Sequence, residues 1–254
     1  MIDLKGKRAL VVGVANADSI AWGVAKALHA AGAEVALTYL NDRAKPFVEP
    51  LARSIDAPIF LPLDVRKKEE ADALFHRITT HWGGLDTLVH SIAYAPGEDL
   101  HGRVVDASLE GLALSMDISV HSFIRLLRRA EPLMKDGGTA LTMSFYGAEK
   151  VVEHYNLMGP IKAALEATSR ALAAELGPKG ITVNTLSPGP MLTRAASGLG
   201  DFGALLQSAA ERSPLRRLAT IDDVGALAAF LASDLARNIT GETIHIDAGF
   251  HIIA

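Results

Sequence analysis

Tyr155 and Lys162 are the two side chains whose types and spacing point most directly to chemistry. They stand seven residues apart in SFYGAEKVVEHYNLMGPIKAALE. Seven residues on a helix make almost two turns, so both side chains would leave one face. A tyrosine hydroxyl can hydrogen-bond a substrate oxygen. A lysine beneath it can hold sugar hydroxyls and stabilise the tyrosinate form electrostatically. Such a pair is also common on ordinary amphipathic helices, so its meaning depends on where the fold puts it. Pro160 lies between the two. A proline inside a helix costs about 3 kcal/mol but is tolerated in the first turn. The regular helix is therefore expected to begin only near 156–159, with Tyr155 at its entrance.

A second candidate segment follows the first apolar run, where the chain reads GVANADSIAWG. A dinucleotide fold needs a tight turn here, backbone N–H groups near the pyrophosphate, and a helix N-terminus aimed at it. Gly13 suits the turn, Ser19 could cap the helix and donate to phosphate, Ile20 starts the helix, and Gly23 would let the helix lie close to the sheet. The pattern is not G-x-G-x-x-G, and an ordinary capped turn would look the same. Further along, TYLNDRAK closes the second strand with Leu40 at the position that discriminates between NAD and NADP. No acid ends that strand to grip a ribose hydroxyl, and Asp42 and Arg43 pull in opposite directions. In LDVRK, Asp64 could accept from an adenine amino group with Val65 on the ring, or simply cap a helix. In HSIAYAPG, the small residues Ser91, Ala93 and Ala95 would let a dinucleotide cross the strand ends. His90, inside the strand, reads as a core histidine.

The elements that must position these groups alternate regularly. Strands are expected at 8–12, 34–39, 58–63, 87–91, 139–144, 181–187 and 243–246. Helices are expected at 20–31, near 45–54, 68–82, about 108–133, up to about 176, and 221–233. Strands apolar on both faces belong in a sheet covered on both sides. Their alternation with helices implies right-handed βαβ units and a doubly wound parallel sheet of Rossmann type. No linker composition, repeat or low-complexity tract divides the 254 residues, so one α/β domain spanning 1–254 is expected.

Bulk properties narrow the function. Net charge is −4, which gives no basic field for nucleic acid or an anionic membrane. The absence of cysteine removes disulfides, thiolate zinc sites and a cysteine nucleophile, and fits a reducing compartment. The nine histidines show no metal-ligand spacing with carboxylates, so no metal is expected. The start MIDLKGKRALVVG is too briefly apolar for a signal peptide, and no window approaches the roughly 18 apolar residues of a membrane span. These readings favour a cytoplasmic protein.

Together GVANADSIAWG, HSIAYAPG, GAEKVVEHYNLMGPIKAALE, LSPGPMLTRAASG and the closing IDAGF resemble the bacterial enoyl-[acyl-carrier-protein] reductases, a divergent branch of the short-chain dehydrogenases/reductases. The likeness runs in register along essentially the whole chain. The Tyr-x6-Lys spacing and the SIAxG loop belong to that branch, whereas the wider superfamily commonly has Tyr-x3-Lys. The resemblance implies a homotetramer that reduces a trans-2-enoyl thioester of acyl carrier protein with NADH, NADPH remaining open. It implies that Gly13, Ser19, Ile20, Asp64, Val65 and Ile92 hold the cofactor and that Lys162 holds its ribose, and Leu40 and Ser91 are added as cofactor contacts from their places at the ends of the second and fourth strands. Met191, Leu192, Thr193, Arg194 and Ala195 would lie along nicotinamide and pyrophosphate, while Ala95 would touch substrate and Tyr155 would bind the thioester oxygen. Residues 192–207 would form a lid over the acyl chain, with Phe202 and Leu205 as apolar anchors.

Two departures stand out. Many relatives carry a second tyrosine ten residues before the catalytic one, and here that position is Phe145. Tyr146 is adjacent but on a strand end would face the other way. Leu40 stands where a glutamine is frequent. Two alternatives remain at this level: a carbonyl or 3-oxoacyl reductase using the same tyrosine on a C=O, and a cofactor-binding protein without catalysis.

Overall fold

The structure, a computed structural model, describes residues 2–191 and 202–253. The first half runs β1 (Arg8–Val12), α1 (Ile20–Ala30), β2 (Glu34–Tyr39), α2 (Lys45–Ser54), β3 (Phe60–Pro62), α3 (Lys68–Trp82) and β4 (Thr87–His90). The short α4 (Gly97–His101) and then α5 (Leu109–Met116) follow. A π-helical turn (Asp117–His121) joins α5 to α6 (Ser122–Ala130). The second half comprises β5 (Gly138–Met143), α7 (Met158–Leu176), β6 (Ile181–Pro188), α8 (Phe202–Arg212), α9 (Ile221–Leu231) and β7 (Thr243–Ile246).

Among the described residues the strands form one seven-stranded sheet in the order β3-β2-β1-β4-β5-β6-β7, parallel at every pairing. β1 and β4 at its centre are buried almost throughout, which explains their unbroken apolar runs. One face is covered by α1, α2 and α9 through Val24, Leu28, Val48 and Val224. The other is covered by α3, α6 and α7 through Leu74, Ile78, Phe123, Leu127 and Leu165. This is the doubly wound arrangement that the β/α alternation implied. The strand order reverses between β1 and β4, and a crevice opens there beyond the carboxyl ends of the strands.

Some boundaries differ from the sequence expectation. β3 is shorter than 58–63 because it is an edge strand, paired with β2 only from Leu37–Phe60 to Tyr39–Pro62. The long helix expected at 108–133 is interrupted by the π turn, which presents Ile118 to the crevice and sets Ser119 Oγ 2.9 Å from the Tyr94 amide it accepts from. α4 and α8 were not expected as helices. No described helix is long and apolar enough to cross a membrane.

Gly23 corrects a local reading. It does not ease α1 against the sheet. A Cβ there would lie 2.2 Å from the Ile221 carbonyl oxygen, so the missing side chain lets α1 meet α9. Gly225 on α9 makes the reciprocal approach, its Cβ position 2.4 Å from Gly23 O. Gly23→Ala should therefore destabilise the fold by about 1–3 kcal/mol through overpacking, despite alanine's better helix propensity. The check is thermal unfolding: the midpoint should fall by roughly 2–4 °C per kcal/mol.

Candidate active site

The crevice at the reversal forms a cleft of about 920 Å³. It runs from Thr38, Leu40 and Arg43 at the end of β2, past Asp64–Arg66, across Gly13 and Ser91–Ala95, to Tyr155, Lys162 and Pro188–Met191. Residues that lie far apart in the chain meet here because parallel strands all end on the same edge of the sheet.

Gly13 is the floor of the narrow part. Its φ is +104°, a conformation that strains any L side chain, and a Cβ there would sit 2.0 Å from Ser91 O. The backbones of β1 and β4 can approach this closely only without a side chain. Ile20, the first residue of α1, also lines the cleft. Ser19 holds the N-cap position, but its hydroxyl does not cap the helix. Instead Oγ accepts from the Ala15 and Asn16 amides at 3.2 and 3.1 Å and donates to Asn16 O, which folds the loop rather than the helix end. Ser19 is absent from the lining of the cleft.

At the other end, Asp64 is buried and grips Arg66 through both carboxylate oxygens, at 2.9 and 2.6 Å. That hydrogen-bonded guanidinium holds its carboxyl below the usual carboxylate range. The N-cap of α3 is Lys67, so Asp64 is not a helix cap. Leu40 is half exposed at the rim, and no carboxylate from the end of β2 lines the cleft.

Tyr155 is not on α7. It sits in a turn between His154 (φ +62°) and Asn156 (φ +39°), and the helix starts at Met158. This agrees with the expectation set by Pro160, which falls in the first turn where no amide is needed. It corrects the idea that Tyr155 and Lys162 share a helix face. The Asn156 side chain ties the turn down by donating to Leu100 O at 2.9 Å. The Tyr155 ring packs on Phe145 at 4.8 Å between centroids and over Gly147, where a Cβ would lie 2.6 Å from the ring. Phe145 lines the cleft, whereas Tyr146 turns away into the core beside Phe250, so Tyr146 does not replace a second tyrosine.

Both chemical groups are removed from water. Tyr155 is 9% exposed, and burial followed by the Glu166 charge pushes its hydroxyl above the ordinary tyrosine range. Lys162 is 6% exposed, and burial lowers its pKa to about 8 against the opposing pull of Glu166. Lys162 Nζ donates to Met143 O at 2.6 Å. Glu166 accepts from Ser144 Oγ, and burial, foremost, raises its carboxyl. Ser144 lines the cleft and Glu166 lies behind it; sequence reading passed over both. The i, i+4 spacing from Lys162 to Glu166 was the available signal, since it puts both on one face of α7.

Of the residues singled out from sequence, Gly13, Ile20, Leu40, Asp64, Val65, Ser91, Ile92, Ala95, Tyr155, Lys162 and Met191 all line this one cleft. Leu192, Thr193, Arg194 and Ala195 lie outside the described residues, as does the side chain of Phe202.

His90, fully buried, is the core histidine expected. Nε2 lies 2.8 Å from Ser122 Oγ and Nδ1 3.0 Å from Thr142 Oγ1. The Ser122 proton goes to Ile118 O, so Ser122 accepts from Nε2–H and the ring is the neutral Nε2–H tautomer. Burial, then the Lys162 charge, depresses its pKa to about 3.

Comparison with known proteins places this geometry. Residues 13–251 match the family model described as Enoyl-(Acyl carrier protein) reductase. The chain is 48% identical over 250 residues to the enoyl-[acyl-carrier-protein] reductase [NADH] 1 of Rhizobium meliloti, covering 98% of this chain and 92% of that one. A crystal structure of the Anaplasma phagocytophilum reductase in complex with NAD superposes with a TM-score of 0.94 at 50% identity, over 98% of this chain and 95% of that one. The Bacillus cereus enoyl-acyl carrier protein reductase, solved with NADP+ and indole naphthyridinone, gives 0.97 at 45% identity over the full length of both.

His90 carries a consequence for acid stability. Its folded pKa lies below the unfolded 6.5, so the unfolded chain binds the extra proton and stability falls as pH drops from about 6.5 toward about 3. Nitrogen-15 NMR should show this ring neutral at pH 5; a titration centred near 6.5 would contradict the assignment.

Proposed function

The chain belongs to the enoyl-(acyl carrier protein) reductase family, and we propose that Tyr155 and Lys162 are the residues through which it works. It reduces the C2=C3 bond of trans-2-enoyl-acyl-carrier-protein thioesters with a nicotinamide cofactor, a step of fatty-acid biosynthesis. The observation that carries the assignment is the burial of Tyr155 and Lys162 at one end of a cleft whose other wall is the β1–β4 crevice.

The residues present fit a dinucleotide. Gly13 lets the β1 and β4 backbones meet at the floor of the cleft, Ile20 opens an eleven-residue helix beside it, and the small Ser91, Ala93 and Ala95 leave the crossing open. Gly13, Ile20, Asp64, Val65, Ser91, Ile92 and Met191 would hold it, together with Leu192, Thr193, Arg194 and Ala195 as the family likeness implies, and with Ser19 shaping the loop. NADH is the cofactor of the relatives. Leu40 offers the adenosine ribose neither an acid nor a base, while the exposed Arg43 beside it leaves room for NADPH.

When bound, the nicotinamide supplies the hydride that C3 of the enoyl group receives. Negative charge then develops on the thioester oxygen. The Tyr155 hydroxyl donates a hydrogen bond to that oxygen, an oxyanion-hole effect that is strong because the group is out of water. Burial keeps Tyr155 protonated, and so a donor, at neutral pH. Phe145 and Gly147 fix the ring angle. Lys162, cationic below about pH 8, holds the cofactor ribose with the N–H groups left after Met143 O. Phe145 cannot donate, so Tyr155 is the hydroxyl assigned to the substrate oxygen.

We read the whole chain as one reductase domain, with residues about 192–207 as the lid and Phe202 and Ala95 against the acyl chain. We also read it as a cytoplasmic homotetramer. The exposed Val104, Val105, Leu109 and Leu112, on and before α5, support an interface between copies. Light scattering should give about four times the 26.9 kDa chain mass.

Tyr155→Phe should lower kcat about 100-fold or more while leaving NADH affinity nearly unchanged. The assay is oxidation of NADH, and separately NADPH, with crotonyl and longer enoyl thioesters and a 3-oxoacyl control. An unchanged rate in the variant, or turnover of the ketone alone, would overturn the assignment.

A further inference from the structure

On the reading of Tyr155 and Lys162 given above, Glu166 has no role, although it is as buried as Lys162 at 6% exposed. It stands one turn further along the same face of α7. A buried carboxylate is costly unless it is hydrogen-bonded or paired. The last residue of β5 and the one that follows it answer to two consecutive turns of α7. Met143 O accepts from Lys162 Nζ, and Ser144 Oγ donates to Glu166 Oε1. The Met143 carbonyl is neutral and cannot balance an ammonium. The negative charge that acts on Lys162 is that of Glu166, and the same charge acts on Tyr155.

We propose that Glu166 is a positioning residue of the reductase: pinned by Ser144, it is the buried counter-charge that holds Lys162 as an ammonium and Tyr155 as a neutral hydroxyl. Those are the states in which Lys162 grips ribose hydroxyls and Tyr155 donates to the thioester oxygen. Glu166 would thereby set the upper pH limit of the enzyme.

Several groups bear on the charge of Glu166. Burial opposes it most, and Glu149, in the turn after β5 and itself 3.6 Å from His245 of β7, opposes it further. The Ser144 hydrogen bond, Arg170 one turn on, and Lys162 favour it. His90 of β4 faces Lys162 but is neutral. Lys162 is lowered to about 8 by burial and supported by Glu166, so neutralising Glu166 removes the support and the value falls further. Tyr155 moves down as well, because Glu166 raises it.

Glu166→Gln keeps an oxygen for Ser144 and deletes the charge. In cofactor-free protein with carbon-13 lysine, the Lys162 resonance, assigned with Lys162→Arg, should titrate near 8 in the parent and about one unit lower in Glu166→Gln. The alkaline limb of kcat/KM should move the same way, and Glu166→Asp should restore both. Ser144→Ala, which removes only the bond favouring the ionised carboxylate, should give a smaller shift in the same direction, a readout that survives if the Gln variant does not fold. A parent-like Lys162 midpoint in either variant overturns the proposal. With Tyr155→Phe inactive, that result would remove the role of Glu166 and leave the reaction assignment standing.

Discussion

Lys162 Nζ makes its one hydrogen bond among the described residues to the Met143 carbonyl, from a place nearly out of reach of water. An ammonium there is stable only if the surrounding groups are fixed, since a small displacement would leave a buried charge unpaired. Much of the site follows from this constraint. α7 must lie close along β5 and β6, so that its inward face brings Lys162 to Met143 and Glu166 to Ser144. Leu165 and Ile161 beside them, both fully buried, hold the helix at that distance.

The cleft needs a second kind of closeness, between backbones. β1 and β4 diverge in their connections but their ends nearly touch, with Ser91 O where a Gly13 side chain would be. α1 is likewise held against α9 by the pair Gly23 and Gly225. The loop between β1 and α1 is therefore anchored at both ends by glycine contacts, and in the middle by the Ser19 hydroxyl. A loop held this rigidly leaves little ordering for any ligand to impose.

The third constraint is on Tyr155. A residue at a helix entrance is ordinarily free to fray. Here the turn is locked by two left-handed residues, by the Asn156 bond to Leu100 O, and by Phe145 and Gly147 against the ring. The strain at His154 and Asn156 is tolerable because these contacts over-determine the turn. The same contacts explain why a phenylalanine at 145 is compatible with the fold: its ring is a wall for Tyr155.

The sequence by itself was sufficient for the parallel sheet, the main covering helices, the late start of α7, the core role of His90 and most of the singled-out residues that line the cleft, from Gly13 and Ile20 to Tyr155, Lys162 and Met191. These depend on local signals, namely unbroken apolar strands, a proline in a first turn, small residues at strand ends, and the motifs shared with the reductase family. It misjudged what depended on which neighbour arrives. Ser19 looked like a helix cap but folds its own loop, Gly23 serves α9 and not the sheet, and Tyr155 does not share a helix face with Lys162. Glu166 and Ser144 drew no notice because a glutamate and a serine 22 residues apart become partners only when α7 packs on the end of β5. Tertiary structure alone decided these points, because hydrogen bonds, desolvation and charge coupling act through space, between groups whose separation along the chain carries no information about their distance.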